Sequence, residues 1–207
     1  MLQRRTVQRA FLLSSVLACL HAVPGRAASV PCMDDTNKRT GAQGGVSRCL
    51  LAENAKFAAC TCAKGKMASF YPDGKLKDCY LVEAAVINGI SCKDSLALTA
   101  EGALRRCRIT APATVGAVKN IPEGSWVSVY KGGALRRLEV AKPTEMMGFR
   151  CKGYLNYFHE NGKLMKCQLA EDKVVDKTSH KAGDFLCWDS AGTPVADCKR
   201  LGKEMLE

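Results

Sequence analysis

The chain has 207 residues, a formal net charge of +11, 12 cysteines and only 6% aromatic residues. So few aromatics argue against one large conventional core, and so many cysteines argue against a reducing compartment, where disulfides are rare. The excess of lysine and arginine favours acidic partners over basic ones.

The N-terminus reads as an export signal. Arg4, Arg5 and Arg9 precede the apolar run Ala10–Leu20, which is too short to span a bilayer comfortably, and small residues follow at Gly25, Ala27 and Ala28. A signal peptide over residues 1–27 is therefore expected, with the mature protein in the periplasm, the cell envelope or the exterior. Val16-Leu17-Ala18-Cys19 resembles a bacterial lipobox, which would make Cys19 a lipid acceptor. The first 27 residues hold four arginines and no acid, so the remainder carries +7.

From there the chain repeats itself. Turn glycines fall at Gly44, Gly74, Gly102, Gly133, Gly162 and Gly192, separated by 30, 28, 31, 29 and 30 residues. A steady period of this length indicates a repeat architecture. Each unit predicts a β-hairpin. Apolar residues alternate before the turn (Ala68 and Phe70, Leu96 and Leu98, Val127 and Val129, Leu186 and Trp188), and an aliphatic residue, a cysteine and a second aliphatic follow it. Asp73-Gly74 and Asn161-Gly162 read as two-residue turns. In these strands Leu76 and Cys79 differ in parity, so either a bulge intervenes or both faces are partly covered. The segments between hairpins, such as Val82–Ser91, are open between a third strand and a loop. The expected fold is all-β: about six antiparallel hairpin repeats over residues 28–198, then a polar tail over residues 199–207.

The copies Phe70-Tyr71-Pro72-Asp73-Gly74-Lys75-Leu76 and Phe158-His159-Glu160-Asn161-Gly162-Lys163-Leu164 resemble bacterial MORN-type repeats, in which an aromatic residue, two others, Asn/Asp-Gly, any residue and Leu recur. The resemblance covers roughly residues 31–198. It implies rows of hairpins packed side by side, often in an interaction or membrane-associated role. The period here is longer, and the Tyr-x-Gly-x-Trp core of typical units is missing.

Ten cysteines fall into two series. Cys32, Cys62, Cys92, Cys151 and Cys187 precede the turns; Cys49, Cys79, Cys107, Cys167 and Cys198 follow them. The unit at Gly133 has neither, with Leu138 at the later place and the Gly124-Ser125 region at the earlier one. One disulfide per unit is the simplest pairing: Cys32–Cys49, Cys62–Cys79, Cys92–Cys107, Cys151–Cys167 and Cys187–Cys198. A rival scheme joins neighbours, as in Cys79–Cys92 and Cys167–Cys187. The position opposite Cys167 in a tight hairpin is Asn156, so a within-unit bond needs a bend, a bulge or a sideways return of the chain. Cys60 is left over as a spare thiol. The segment Cys60-Thr61-Cys62 also admits a redox pair, a disulfide-linked assembly or a metal-ligand pair. Zinc is the weaker of these, because cysteines recurring at about thirty residues lack the tight spacing of structural zinc sites.

No catalytic constellation is read. His159 lies beside a turn and His180 in a linker, neither with a nucleophile or carboxylate at a telling spacing, and no motif implies a cofactor or metal. The candidate site is a basic stripe formed by equivalent positions of stacked units: Arg48, Lys77, Arg105, Arg106, Arg108, Arg136, Arg137 and Lys166. Its expected partners are anionic polysaccharide, lipid headgroups or an envelope protein. Nucleic acid is disfavoured, since no stacking aromatics are evident beside the stripe. The expected function is a non-catalytic structural or binding module; the alternative is a thiol-redox or disulfide-assembly protein centred on Cys60.

Overall fold

The turn glycines set the frame. In a computed structural model that describes residues 30–33, 38–41, 44–153, 156–196 and 198, all six hold φ between 78° and 88°, a region that side chains with a Cβ rarely enter. At Gly74 the Tyr71 amide donates to the Lys75 carbonyl (2.8 Å) and the Gly74 amide to the Tyr71 carbonyl (2.9 Å). Only the glycine of this loop has positive φ; Asp73 and Asn161 do not. The expected two-residue turns are therefore three-residue loops, over residues 72–74 and 160–162, with glycine as the left-handed closing residue. The expected signal peptide over residues 1–27, Cys19 and the expected tail over residues 199–207 lie outside the described residues.

Each main hairpin carries one extra residue after its turn. Ser69 faces Asp78 but Phe70 faces Leu76, leaving Lys77 as the bulge. The same shift leaves Ser47, Arg105, Arg136 and Met165 as extra residues in other units. A bulge changes side-chain parity, so Leu76 and Cys79 both point into the core. Of the two ways to reconcile their spacing, the bulge is the one adopted.

The described elements are all strands. The main hairpins consist of β1 (Arg39–Thr40) with β2 (Val46–Leu50), β5 (Met67–Phe70) with β6 (Leu76–Tyr80), β8 (Ile90–Leu98) with β9 (Leu104–Ile109), β12 (Trp126–Val129) with β13 (Leu135–Glu139), and β16 (Asn156–Phe158) with β17 (Leu164–Gln168), followed by β20 (Phe185–Cys187). These strands join edge to edge in antiparallel order as one long sheet. Between them lie short hairpins of a second kind: β3 (Ala55–Phe57) with β4 (Cys60–Cys62), β7 (Ala85–Ile87) with the start of β8, β10 (Ala113–Val115) with β11 (Val118–Ile121), β14 (Thr144–Met146) with β15 (Phe149–Cys151), and β18 (Lys173–Val175) with β19 (Thr178–His180). The segments between turns are thus neither a single strand nor a loop; each is a second hairpin.

The short hairpins turn one side toward the long sheet. Ile87, Val115, Val118, Ile121 and Met146 pack with Phe70, Leu96, Val127, Leu138 and Phe158 in one elongated core. The chain passes from short hairpin to sheet at a left-handed residue: Gly65 (φ 67°), Asp94 (φ 63°), Gly124 (φ 79°) or Gly183 (φ 103°). Amides of Gly65, Gly124 and Gly183 donate to Leu51, Ile109 and Leu169 of the preceding unit, so each corner is tied to its neighbour.

Five disulfides form among the described residues, with the within-unit pairing. The sideways return of the chain brings the partners together. Cys62 and Cys151 end short hairpins, while Cys79 and Cys167 lie on the inner face of the sheet, so each of these bonds staples the two layers. In the unit without a staple, Ile121 ends the short hairpin opposite Ala113, as Cys62 does opposite Ala55. The residue replacing the earlier cysteine is therefore Ile121, not the Gly124-Ser125 region; Ile121 and Leu138, each 1% exposed, fill the place of a disulfide with apolar contact.

The fifth disulfide differs in kind. Cys187 faces Lys166, on the other side of the sheet from Leu186. Its bond to Cys198 pins the C-terminal segment across the outer face, where Met165, Tyr157 and Val195 pack around it.

The second tight-turn family shows a local strain. Asn88-Gly89 and Met147-Gly148 have positive φ at both residues, as does Asp176-Lys177 (47° and 65°). Lysine at the second position carries a Cβ where glycine is preferred. Lys177→Gly is expected to raise stability by about 1 kcal/mol, read as a higher denaturant midpoint with an unchanged m-value.

Candidate binding face

The outer side of the long sheet assembles the stripe. One row crosses it strand by strand: Arg39, Arg48, Ser69, Asp78, Ala97, Arg106, Ser128, Arg137, Tyr157, Lys166 and Cys187. Arg106, Arg137 and Lys166 therefore share a row on alternate strands. Arg108 lies two residues along β9 from Arg106 and on the same face, and the bulge residues Arg105 and Arg136 flank the row on its turn side. Arg48 and Lys77 are not joined to this group. Ser69, Asp78 and Ala97 interrupt the row between Arg48 and Arg106, and Ser69 donates to Asp78 Oδ1 at 3.1 Å.

Ion pairs hold several of these cations in place. Glu139 reaches Arg137 at 2.6 Å and Arg106 at 3.9 Å. Asp94 reaches Arg108 at 3.0 Å, and Arg108 Nε donates to the Gly124 carbonyl at 3.0 Å. Glu139 thus aligns two guanidinium groups from adjacent units, a positioning role that no spacing within one unit displays.

Aromatic rings lie beneath the stripe, contrary to expectation. Arg106 sits 4.7 Å from the Trp126 ring, Arg137 5.9 Å from Tyr157 and Lys166 4.7 Å from Phe185. Lys77 lies over Tyr71 and Arg136 over Tyr130, each at 5.8 Å. Cation–π attraction favours such stacking. In the first three pairs the ring belongs to the next strand of the sheet, so residues 19 to 20 apart in sequence become neighbours only through sheet register. The stripe thus has beside it the stacking aromatics that repeat spacing does not display.

His159 belongs to the scaffold. His159 is buried, and its Nε2 lies 2.8 Å from the Trp188 carbonyl. Tyr71 and Tyr130, at the same repeat position, donate to the Leu98 and Phe158 carbonyls (2.7 and 2.9 Å). These three side chains latch their turns to the following unit. His180 ends β19 opposite Lys173, where other units have the stapled cysteine.

Cys60 is 8% exposed, and its sulfur lies within 4.8 Å of those of Cys62 and Cys79. Those two are joined to each other, so they offer no thiolate to a metal in this state. Burial pushes the Cys60 thiol up to about 11. The thiol is then held protonated at pH 7. In a chain starting at Ala28, a thiol reagent at neutral pH is expected to find nothing until denaturant is added, and then one thiol. A fast reaction of the native protein would show Cys60 to be accessible.

Together these features define the class: a two-layered row of β-hairpin repeats, stapled between its layers by disulfides and carrying a cation–aromatic face. Comparison with known family models, with curated proteins and with solved structures gave no match.

Proposed function

We propose that this chain is a non-catalytic binding module, exported by the signal over residues 1–27 into an oxidising compartment, that contacts acidic polysaccharide or lipid surfaces through the outer face of its long sheet. The observation that carries this reading is the gathering of Arg105, Arg106, Arg108, Arg136 and Arg137 from two adjacent units on one exposed side. Glu139 and Asp94 orient the guanidinium groups. The five staples fit the oxidising setting. The MORN-type resemblance of the hairpin motif agrees with an interaction role.

The thiol-centred alternative draws little support from Cys60, which is buried and held protonated; a redox thiol needs access and a lowered pKa. The test is charge reversal. On a heparin column the native chain should elute at clearly higher salt than a neutral protein of its size, and Arg106→Glu/Arg137→Glu should remove most of that retention. Elution of the native chain with the neutral control would reject the proposal. Vesicles of anionic lipid, assayed in parallel, separate a membrane surface from a polysaccharide.

A further inference from the structure

We infer that the ligand of the outer face is a linear anionic glycan lying across the strands, with one acidic sugar per repeat; this rests on the polyanion-binding reading above. The argument is one of spacing. Arg106, Arg137 and Lys166 occupy the same row on β9, β13 and β17, two strands apart each time. Neighbouring strands are separated by nearly 5 Å, so the cations recur at roughly 10 Å. That interval matches the advance of a disaccharide along an extended polysaccharide. Tyr157 stands in the row between Arg137 and Lys166, while Trp126 and Phe185 lie on the same face two residues off the row, on the strands that follow Arg106 and Lys166. A guanidinium or ammonium group suits a sugar carboxylate or sulfate. An adjacent aromatic ring suits the C–H face of a pyranose. Cations recurring at this interval with rings beside them suit a chain whose alternate sugars are acidic.

The rival polyanions fit less well. Each strand of duplex DNA carries a charge about every 3.4 Å, nearly three times the density of the row. A lipid headgroup layer is two-dimensional, whereas the three cations in register form a line, with Arg105, Arg108 and Arg136 flanking only its β9–β13 part. The line also has ends. Asp78 and Ala97 stop it on one side, and Cys187 with the pinned C-terminal segment stops it on the other. Three cations in register therefore call for a ligand of about six sugars.

The experiment is calorimetric titration of the full chain at low ionic strength with hyaluronan oligosaccharides of two, four, six and eight sugars, which carry one carboxylate per disaccharide. Affinity should strengthen about tenfold with each disaccharide up to six sugars and then level off. Arg137→Gln, at the centre of the row, should cost about tenfold with six sugars, and Lys166→Gln a similar amount. Trp126→Phe should weaken six-sugar binding while leaving heparin retention unchanged. Retention on heparin without a length threshold, or with no effect of Trp126→Phe, would overturn the glycan register and leave the polyanion reading standing. Binding to anionic vesicles but not to the six-sugar chain would overturn it in favour of lipid. Failure to bind heparin, vesicles and all four oligosaccharides would remove both readings. Because Arg137→Gln and Lys166→Gln alter partly exposed side chains, their outcome does not hinge on refolding of the core.

Discussion

Replacing Cys151 and Cys167 together by alanine is expected to lower stability by about 3 kcal/mol, measured by denaturant unfolding under non-reducing conditions. The bond closes a loop with a sequence separation of 16, and losing it frees the unfolded chain. Both cysteines are fully buried in the core, so alanine also removes apolar contact. The unstapled unit offers the converse. Ile121 and Leu138 stand where the two cysteines stand elsewhere, and Ile121→Cys/Leu138→Cys should form a sixth bond in the same frame. Its gain will be smaller than 3 kcal/mol, since two well-packed aliphatic side chains are lost with it. If the double cysteine variant stays reduced under oxidising refolding, the equivalence drawn between Ile121 and Cys62 or Cys151 is wrong.

Phe158→Ala is expected to cost 3–5 kcal/mol, a range typical of buried phenylalanine truncations. The ring is fully buried at the aromatic place of the hairpin motif, and its strand bonds both the preceding β13 and the following β17. The damage should stay partly local. Repeats of this kind interact with their neighbours, so weakening one unit uncouples the array at that point. Hydrogen exchange should show protection lost over residues 144–188 before residues 46–109 are affected. Uniform loss along the chain would show the array to unfold as one cooperative body.

The frame of this fold is legible in the sequence because it is written in short-range chemistry. Gly74 and Gly162 announce turns, apolar residues recur at alternate places as Ala68 and Phe70 or Leu96 and Leu98, and the paired loss of both cysteines in one unit betrays the pairing of the rest. The second layer is not legible for an equally physical reason. Three-residue strands such as β14 and β18 are too short to show alternation, and their turns share no common dipeptide: Asn88-Gly89, Met147-Gly148 and Asp176-Lys177 adopt one shape with three spellings. Asn88-Gly89, between Ile87 and Ile90, is the one of the three with a favoured hairpin dipeptide. The stripe was readable as a series of charges because equivalent positions line up. Its aromatic partners were not, since Arg106 meets Trp126 only through the register between units.

The placement of the staples also bears on how the molecule would respond to being pulled from its ends. Four bonds shorten the path within units and none crosses from one unit to the next, so tension would peel neighbours apart while leaving each locked segment unextended. The longest stretch free to pay out runs from Cys107 to Cys151 and contains the unclipped unit. Under load this stretch would extend furthest, and it carries Arg136, Arg137 and Trp126.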